Sequence, residues 1–134
     1  MFLKHNIRHL REQLEDFLYC LFRIFIGSMF FLHGAQKIFG WFSDQGPVAL
    51  SSLFGVAGIV EVITGILIFV GLWTRIAAFF AAGQMVVAYL MVHAHQGINP
   101  LVNQGELAVL YFAAFLVLIM YGPGKWSLHH VFFK

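Results

Sequence analysis

Four apolar windows, each close to the length of a membrane-crossing helix, set the pattern of this chain. They cover about residues 17–39, 53–72, 75–95 and 105–121. Crossing the hydrocarbon layer takes about 20 mostly apolar residues. Between the windows lie stretches of turn chemistry. Phe42-Ser-Asp-Gln-Gly-Pro47 follows the first, Gly71-Leu-Trp-Thr-Arg75 makes a tight hairpin, and Gln96-Gly-Ile-Asn-Pro100 precedes the fourth. Gly122-Pro-Gly124 ends the last helix. The pattern predicts an all-α integral membrane four-helix bundle of up-down-up-down topology.

Residues 1–16 read differently. Leu3, Ile7, Leu10 and Leu14 fall on one helical stripe, and Arg8–Glu12 and Arg11–Glu15 are spaced to pair along a helix. Such a segment either lies on the membrane surface or packs as a solvated helix against the bundle. The domain layout is then an amphipathic segment 1–16, a membrane domain 17–128 and a tail 129–134. The run from Phe17 is long and lacks a small-residue cleavage site, so it reads as an uncleaved signal anchor. Lys4, Arg8, Arg11, Arg75, Lys125 and Lys134 flank one side of the bundle, against Lys37 on the other. That bias predicts both termini in the cytoplasm.

Composition narrows the class. The 134 residues are 60% hydrophobic and 10% charged, where soluble domains carry about 25% charged residues. A net charge of +2 without a basic block gives no reason to expect nucleic acid. Cys20 is the sole cysteine, which excludes chemistry that cycles an internal disulfide.

Against this background the polar residues of the windows stand out. His33, Gln36 and Lys37 share one helix face in Phe31-Phe-Leu-His33-Gly-Ala-Gln36-Lys37. In the predicted topology His33 lies roughly 9 Å, and Glu61 roughly 12 Å, below the same outer boundary. Gln84, His93 and His95 of the third helix and Glu106 of the fourth approach the same leaflet. Ionisable groups in a membrane are costly and usually serve a site. Each also has a structural reading. Glu61 can pair with Lys37 or accept from Gln84. Glu106 suits a helix N-terminus. Arg23, alone in the inner half, reads most simply as snorkelling to the surface. His93 and His95, two apart, cannot both face the bundle. A zinc- or iron-like set from His33, Glu61 and one of those histidines lacks any HxxxH or HExxH support, so no metal site is assigned.

The ordered motifs His33-Gly-Ala-Gln36-Lys37, Gly40-Trp41-Phe42, Gly58-x-x-Glu61, Gly71-Leu-x-Thr74-Arg75, Asn103-x-Gly105-Glu106 and Gly122-Pro-Gly124-x-Trp126-Ser127 resemble the DoxX family over residues 20–128. The resemblance implies a multi-pass protein of a bacterial or archaeal cytoplasmic membrane. The family takes its name from a membrane subunit of a thiosulfate:quinone oxidoreductase, so redox partner proteins and a quinone ligand are implied with it. Recurrent polar positions of the family match His33, Gln36, Lys37, Glu61 and Glu106. The chain itself shows no haem-ligand pair, cysteine set or flavin fingerprint.

Together these readings predict an outer-leaflet pocket for a quinone-like or other polar-headed lipophile, lined by His33, Gln36, Lys37, Glu61, Gln84, His93, His95 and Glu106. Lys37 and Gln36 would donate to a carbonyl oxygen, with His33 and Glu61 relaying protons. The rivals are a small-solute carrier, which would require a homo-oligomer, and a membrane scaffold without chemistry of its own.

Overall fold

The computed structural model describes residues 2–133, with side chains from Asn6 onward. Lys134 and the side chains of Leu3 and Lys4 lie outside the described residues. All described secondary structure is helical. Helix α1 spans Phe2–Phe39, α2 Leu53–Val70, α3 Thr74–Ala88, α4 Glu106–Tyr121 and the one-turn α5 Leu128–Phe132. A π-turn (Tyr89–His93) and a 3-10 turn (Ala94–Gln96) extend α3. Three helical stretches are long and apolar enough to cross a membrane: Asn6–Phe39, Leu53–Val70 and Thr74–Gln96. The fourth, α4, is apolar but has 16 residues.

Successive helices alternate in direction, so the bundle has two ends. One carries the α2–α3 hairpin, α5 and the first half of α1; we call it the terminal end. The other, the distal end, carries residues 40–52 and 97–105. No break separates the amphipathic segment from the first apolar window, because α1 runs continuously through Asp16 and Phe17. Ile7, Leu10 and Leu14 are exposed along it. Arg8 and Arg11 pair with Glu12 and Glu15, as their spacing predicts. The last residues are also helical. Ser127 caps α5, and the amide of His129 donates to the Gly71 carbonyl, docking α5 on the hairpin.

Helices α1 and α2 pack backbone against backbone. Hydrocarbon gives helices no hydrophobic reason to associate, so close backbone packing must supply the contact. Gly27 and Gly34 of α1 face Gly58 and Gly65 of α2. A Cβ on Gly65 would sit 2.6 Å from the Phe31 amide nitrogen, and one on Gly34 would sit 2.7 Å from the Gly58 carbonyl oxygen. Helices α3 and α4 meet through Ala77, Ala78, Ala81, Ala82 and Ala108, with Phe30, Tyr111, Phe115 and Leu118 filling the centre.

Arg23 does not snorkel. It is 2% exposed and turns across to the end of α2. Its Nη1 donates to the carbonyls of Ile68 and Phe69 at 2.7 and 2.6 Å, and its Nη2 to that of Trp126 at 2.7 Å. The last carbonyls of a helix lack intrahelical partners and carry partial negative charge, which a guanidinium satisfies. Arg75 and Tyr19 treat α4 the same way, donating to the carbonyls of Ile119 and Gly122. Gly71, at φ 72°, closes α2 in the left-handed conformation that glycine adopts freely. Its missing Cβ also matters, since one there would fall 2.7 Å from Arg23 Nη1.

Substitution at the glycines should separate packing from propensity. Gly65→Ala is expected to lower stability by about 1–3 kcal/mol through overpacking. Gly83→Ala on α3, where an added Cβ meets nothing within 4 Å, should be neutral or slightly stabilising. Thermal unfolding of both purified variants in one detergent checks the contrast.

Candidate functional site

Lys37 ends α1 on the face that carries the glycines, and Gly58 leaves room for its stem, since a Cβ there would lie 3.0 Å from Lys37 Cβ. One turn further along α2, Glu61 is 3% exposed. Lys37 Nζ lies 2.6 Å from both carboxylate oxygens. Gln84 of α3 donates through Nε2 to Glu61 Oε1 at 2.8 Å. A carboxylate this buried needs its charge matched and its lone pairs used, and these two partners do both. The structural reading of Glu61 is therefore realised in both its forms, and three helices are joined at one point.

The cluster forms the polar end of a cavity of about 490 Å³, within the usual range of small-molecule sites. His33, Lys37, Glu61, Gln84, His93 and Tyr111 line it. The His33 ring meets Tyr111 edge-on at 5.7 Å, and Tyr111 packs against Phe30 at 5.3 Å. The exposed part of the lining is Leu53, Phe54 and Val56 of α2, Phe80 and Val87 of α3, Met91, Gln104 and Leu107. Apart from Gln104 that rim is apolar, so the mouth faces the side of the bundle where acyl chains would lie.

The π-turn decides which histidine belongs here. An extra residue in the turn, closed by the Ala94 amide on the Tyr89 carbonyl, rotates the succeeding residues relative to α3. His93 then lines the cavity, and its Nδ1 lies 2.9 Å from the Asn103 carbonyl oxygen. His95 falls in the 3-10 turn and is exposed. Asn103, fully buried, donates to the Gly97 carbonyl and to the Tyr89 hydroxyl while accepting from the Gly105 amide. It holds the distal loop in shape.

Of the eight residues read from sequence, five come together: His33, Lys37, Glu61, Gln84 and His93. Gln36, His95 and Glu106 lie outside the lining and are exposed. Gln36 reaches toward the Phe42 carbonyl, and Glu106 occupies the first turn of α4, where its charge suits the helix dipole. Tyr111, which the sequence pattern does not mark, joins the lining, as does Gln104, one of the polar residues that open the fourth helix. A hydroxyl in the apolar stretch of α4 between Glu106 and Tyr121 is the available signal for Tyr111.

An all-helical bundle with membrane-length apolar helices, folded around a buried charged cluster and a laterally open cavity, defines an integral membrane protein. It belongs to the DoxX family, whose profile matches residues 18–94. Similar proteins include one from Haemophilus influenzae described as an uncharacterized protein. The two are 34% identical, over 92% of this chain and 96% of the other. The inner membrane protein YqjF of Escherichia coli is 28% identical over 92% of this chain and 98% of its own length. An uncharacterized membrane protein of Mycobacterium tuberculosis is 26% identical over 79% of this chain and 76% of its own. No solved structure matches the chain significantly.

Removing one member of the ion pair should cost more than removing both. Lys37→Met, which leaves the Glu61 carboxylate uncompensated, is expected to destabilise by about 3 kcal/mol. Adding Glu61→Gln should restore part of that loss. A double-mutant cycle on unfolding free energies in detergent measures the coupling.

Proposed function

We propose that this protein binds a polar-headed lipophile, of which a quinone-like ring is the leading kind, within the bilayer, as one subunit of a membrane redox assembly. The observation that carries this reading is the shape of the cavity's chemistry: a hydrogen-bonding end of six side chains behind an apolar mouth. Lys37 and Glu61 neutralise each other, so a head without net charge fits better than an ion. The partly exposed His33 ring suits a planar head, and the apolar rim suits a hydrocarbon tail. Lys37 keeps one N–H beyond the two that it gives to Glu61, and it would hold an oxygen attached to the ring. His33 makes no hydrogen bond among the described residues, which leaves it free to exchange a proton with a bound head. A bound quinone would supply two-electron, two-proton redox chemistry; the chain would contribute position, exclusion of water and proton exchange.

The same reading puts the protein in a bacterial or archaeal cytoplasmic membrane, with residues 17–128 as the embedded domain and both termini inside. The bias of Lys and Arg toward the terminal end supports that orientation. A fluorescent reporter fused after Lys134 should therefore light up, and an alkaline phosphatase fusion there should stay inactive. The opposite pair of results would invert the bundle.

A second reading rests on one specific observation. Lys37, Glu61 and Gln84 satisfy much of one another, as a purely structural clasp would. Native mass spectrometry of protein gently extracted from its own membrane separates the two. The binding reading expects a co-purifying lipophile that is lost in Glu61→Gln and His33→Ala. A protein that emerges empty, with its partner proteins unchanged in both variants, would leave the clasp in front.

A further inference from the structure

The first half of α1 carries an apolar stripe that no described residue covers. Leu3, Ile7, Leu10, Leu14, Phe17, Leu21 and Ile24 recur at alternating spacings of four and three. That is the seven-residue repeat by which paired helices bury a seam. Ile7, Leu10 and Leu14 are 66%, 68% and 54% exposed. Where the stripe points follows from the rest of α1. Arg23, Gly27, Phe30 and Gly34 face the bundle, and by the helical repeat the stripe lies roughly 150° around the helix from them. Asp16, on the bundle side, pairs with Lys125. The stripe is therefore turned away from its own bundle.

The bilayer does not cover it either. Phe17 packs edge-on against Trp126 at 5.8 Å, which sets the terminal end of the bundle level with Phe17. Ile7, Leu10 and Leu14 extend beyond that level. Phe2–Ile26 contains neither glycine nor proline, the usual causes of a sharp kink, and α1 is continuous through it. A helix that crosses the membrane without bending carries its first turns into water rather than along the surface.

We propose that the stripe is covered by a second copy of this chain, the two α1 helices pairing as a parallel coiled coil that starts ahead of Ile7 and enters the bilayer through Phe17 and Leu21. Every copy inserts in the same direction, so a parallel, two-fold pairing needs no further orientation. Ile7, Leu14 and Leu21 then share one seam position, and Leu10, Phe17 and Ile24 the other. The flanking positions meet across such a pair as Asn6 with Arg11 and Gln13 with Leu18, so like charges do not face each other. Arg11 is already held by Glu15 of its own helix. Two heptads alone make a weak coiled coil. Here the helix is already formed as far as Phe39, and the copies share a membrane plane, so much of the ordering cost of association is absent. The pairing does not depend on what the cavity binds.

The test is disulfide trapping of the full-length protein in its own membrane. Leu10→Cys, in the seam, and His9→Cys, on the far side of the helix, are each made together with Cys20→Ser and oxidised with copper phenanthroline. Both sites are exposed, so neither variant disturbs the bundle. Leu10→Cys is expected to give a band at twice the chain mass. His9→Cys should give none, since its partners lie beyond the roughly 7 Å that a disulfide tolerates. Adding Leu14→Glu to Leu10→Cys should abolish the band, because two carboxylates would then meet in the seam. Equal bands from both sites would report random collision and overturn the proposal, as would a band that survives Leu14→Glu. Absence of a band from Leu10→Cys overturns it as well, and a band of another mass there would give the stripe to a different protein.

Discussion

The backbone contact between α1 and α2 is the constraint on which the rest of the bundle depends. Four glycines, paired at a spacing of seven on each helix, let the two backbones touch where any side chain would hold them apart. Such proximity is what brings Lys37 within reach of Glu61. In lipid there is no water to screen a stranded charge or to solvate it. The glycines therefore come first in the causal order and the ion pair second, with Gln84 joining α3 to the pair that results. Polar contacts between membrane helices are worth only about 0.6 kcal/mol on average. The cluster is thus better understood as a product of tight packing than as its driving force.

The two ends of the bundle solve opposite problems. At the terminal end four helix-end carbonyls are spoken for: Arg23 answers Ile68 and Phe69 at the end of α2, and Arg75 and Tyr19 answer Ile119 and Gly122 at the end of α4. Ser127 and Gly71 then seal α5 against the hairpin. At the distal end α3 loosens into a π-turn and a 3-10 turn, and the helices leave space. Stability and openness are consequently kept apart along the membrane normal, which lets the cavity exist without unpicking the fold.

Much of this was legible in the sequence for a simple reason. Hydrocarbon-length apolar windows and polar residues inside them are local signals, and Lys37, Glu61, Gln84 and His33 each break such a window. What was not legible depends on geometry that no linear pattern carries. Choosing between His93 and His95 needed the π-turn, and a 3.6-residue period cannot foresee an inserted residue. Arg23 looked like a surface seeker because nothing nearby in sequence announces that the carbonyls of Ile68, Phe69 and Trp126 will gather around it. Tyr111 was hidden by its ring, which passes for one more apolar group until the residue is found in the cavity lining. The junction between the amphipathic segment and the first window, a change of composition at Phe17, leaves no mark on the backbone.

That unbroken junction makes α1 a single rod of 38 residues, about 57 Å long. Among the described residues of its exposed half, Asp16 pairs with Lys125 of the bundle at 2.7 Å. Its other half carries His33 and Lys37. With no break between them, one continuous helix joins the charged segment around Glu12 to the cluster at Lys37.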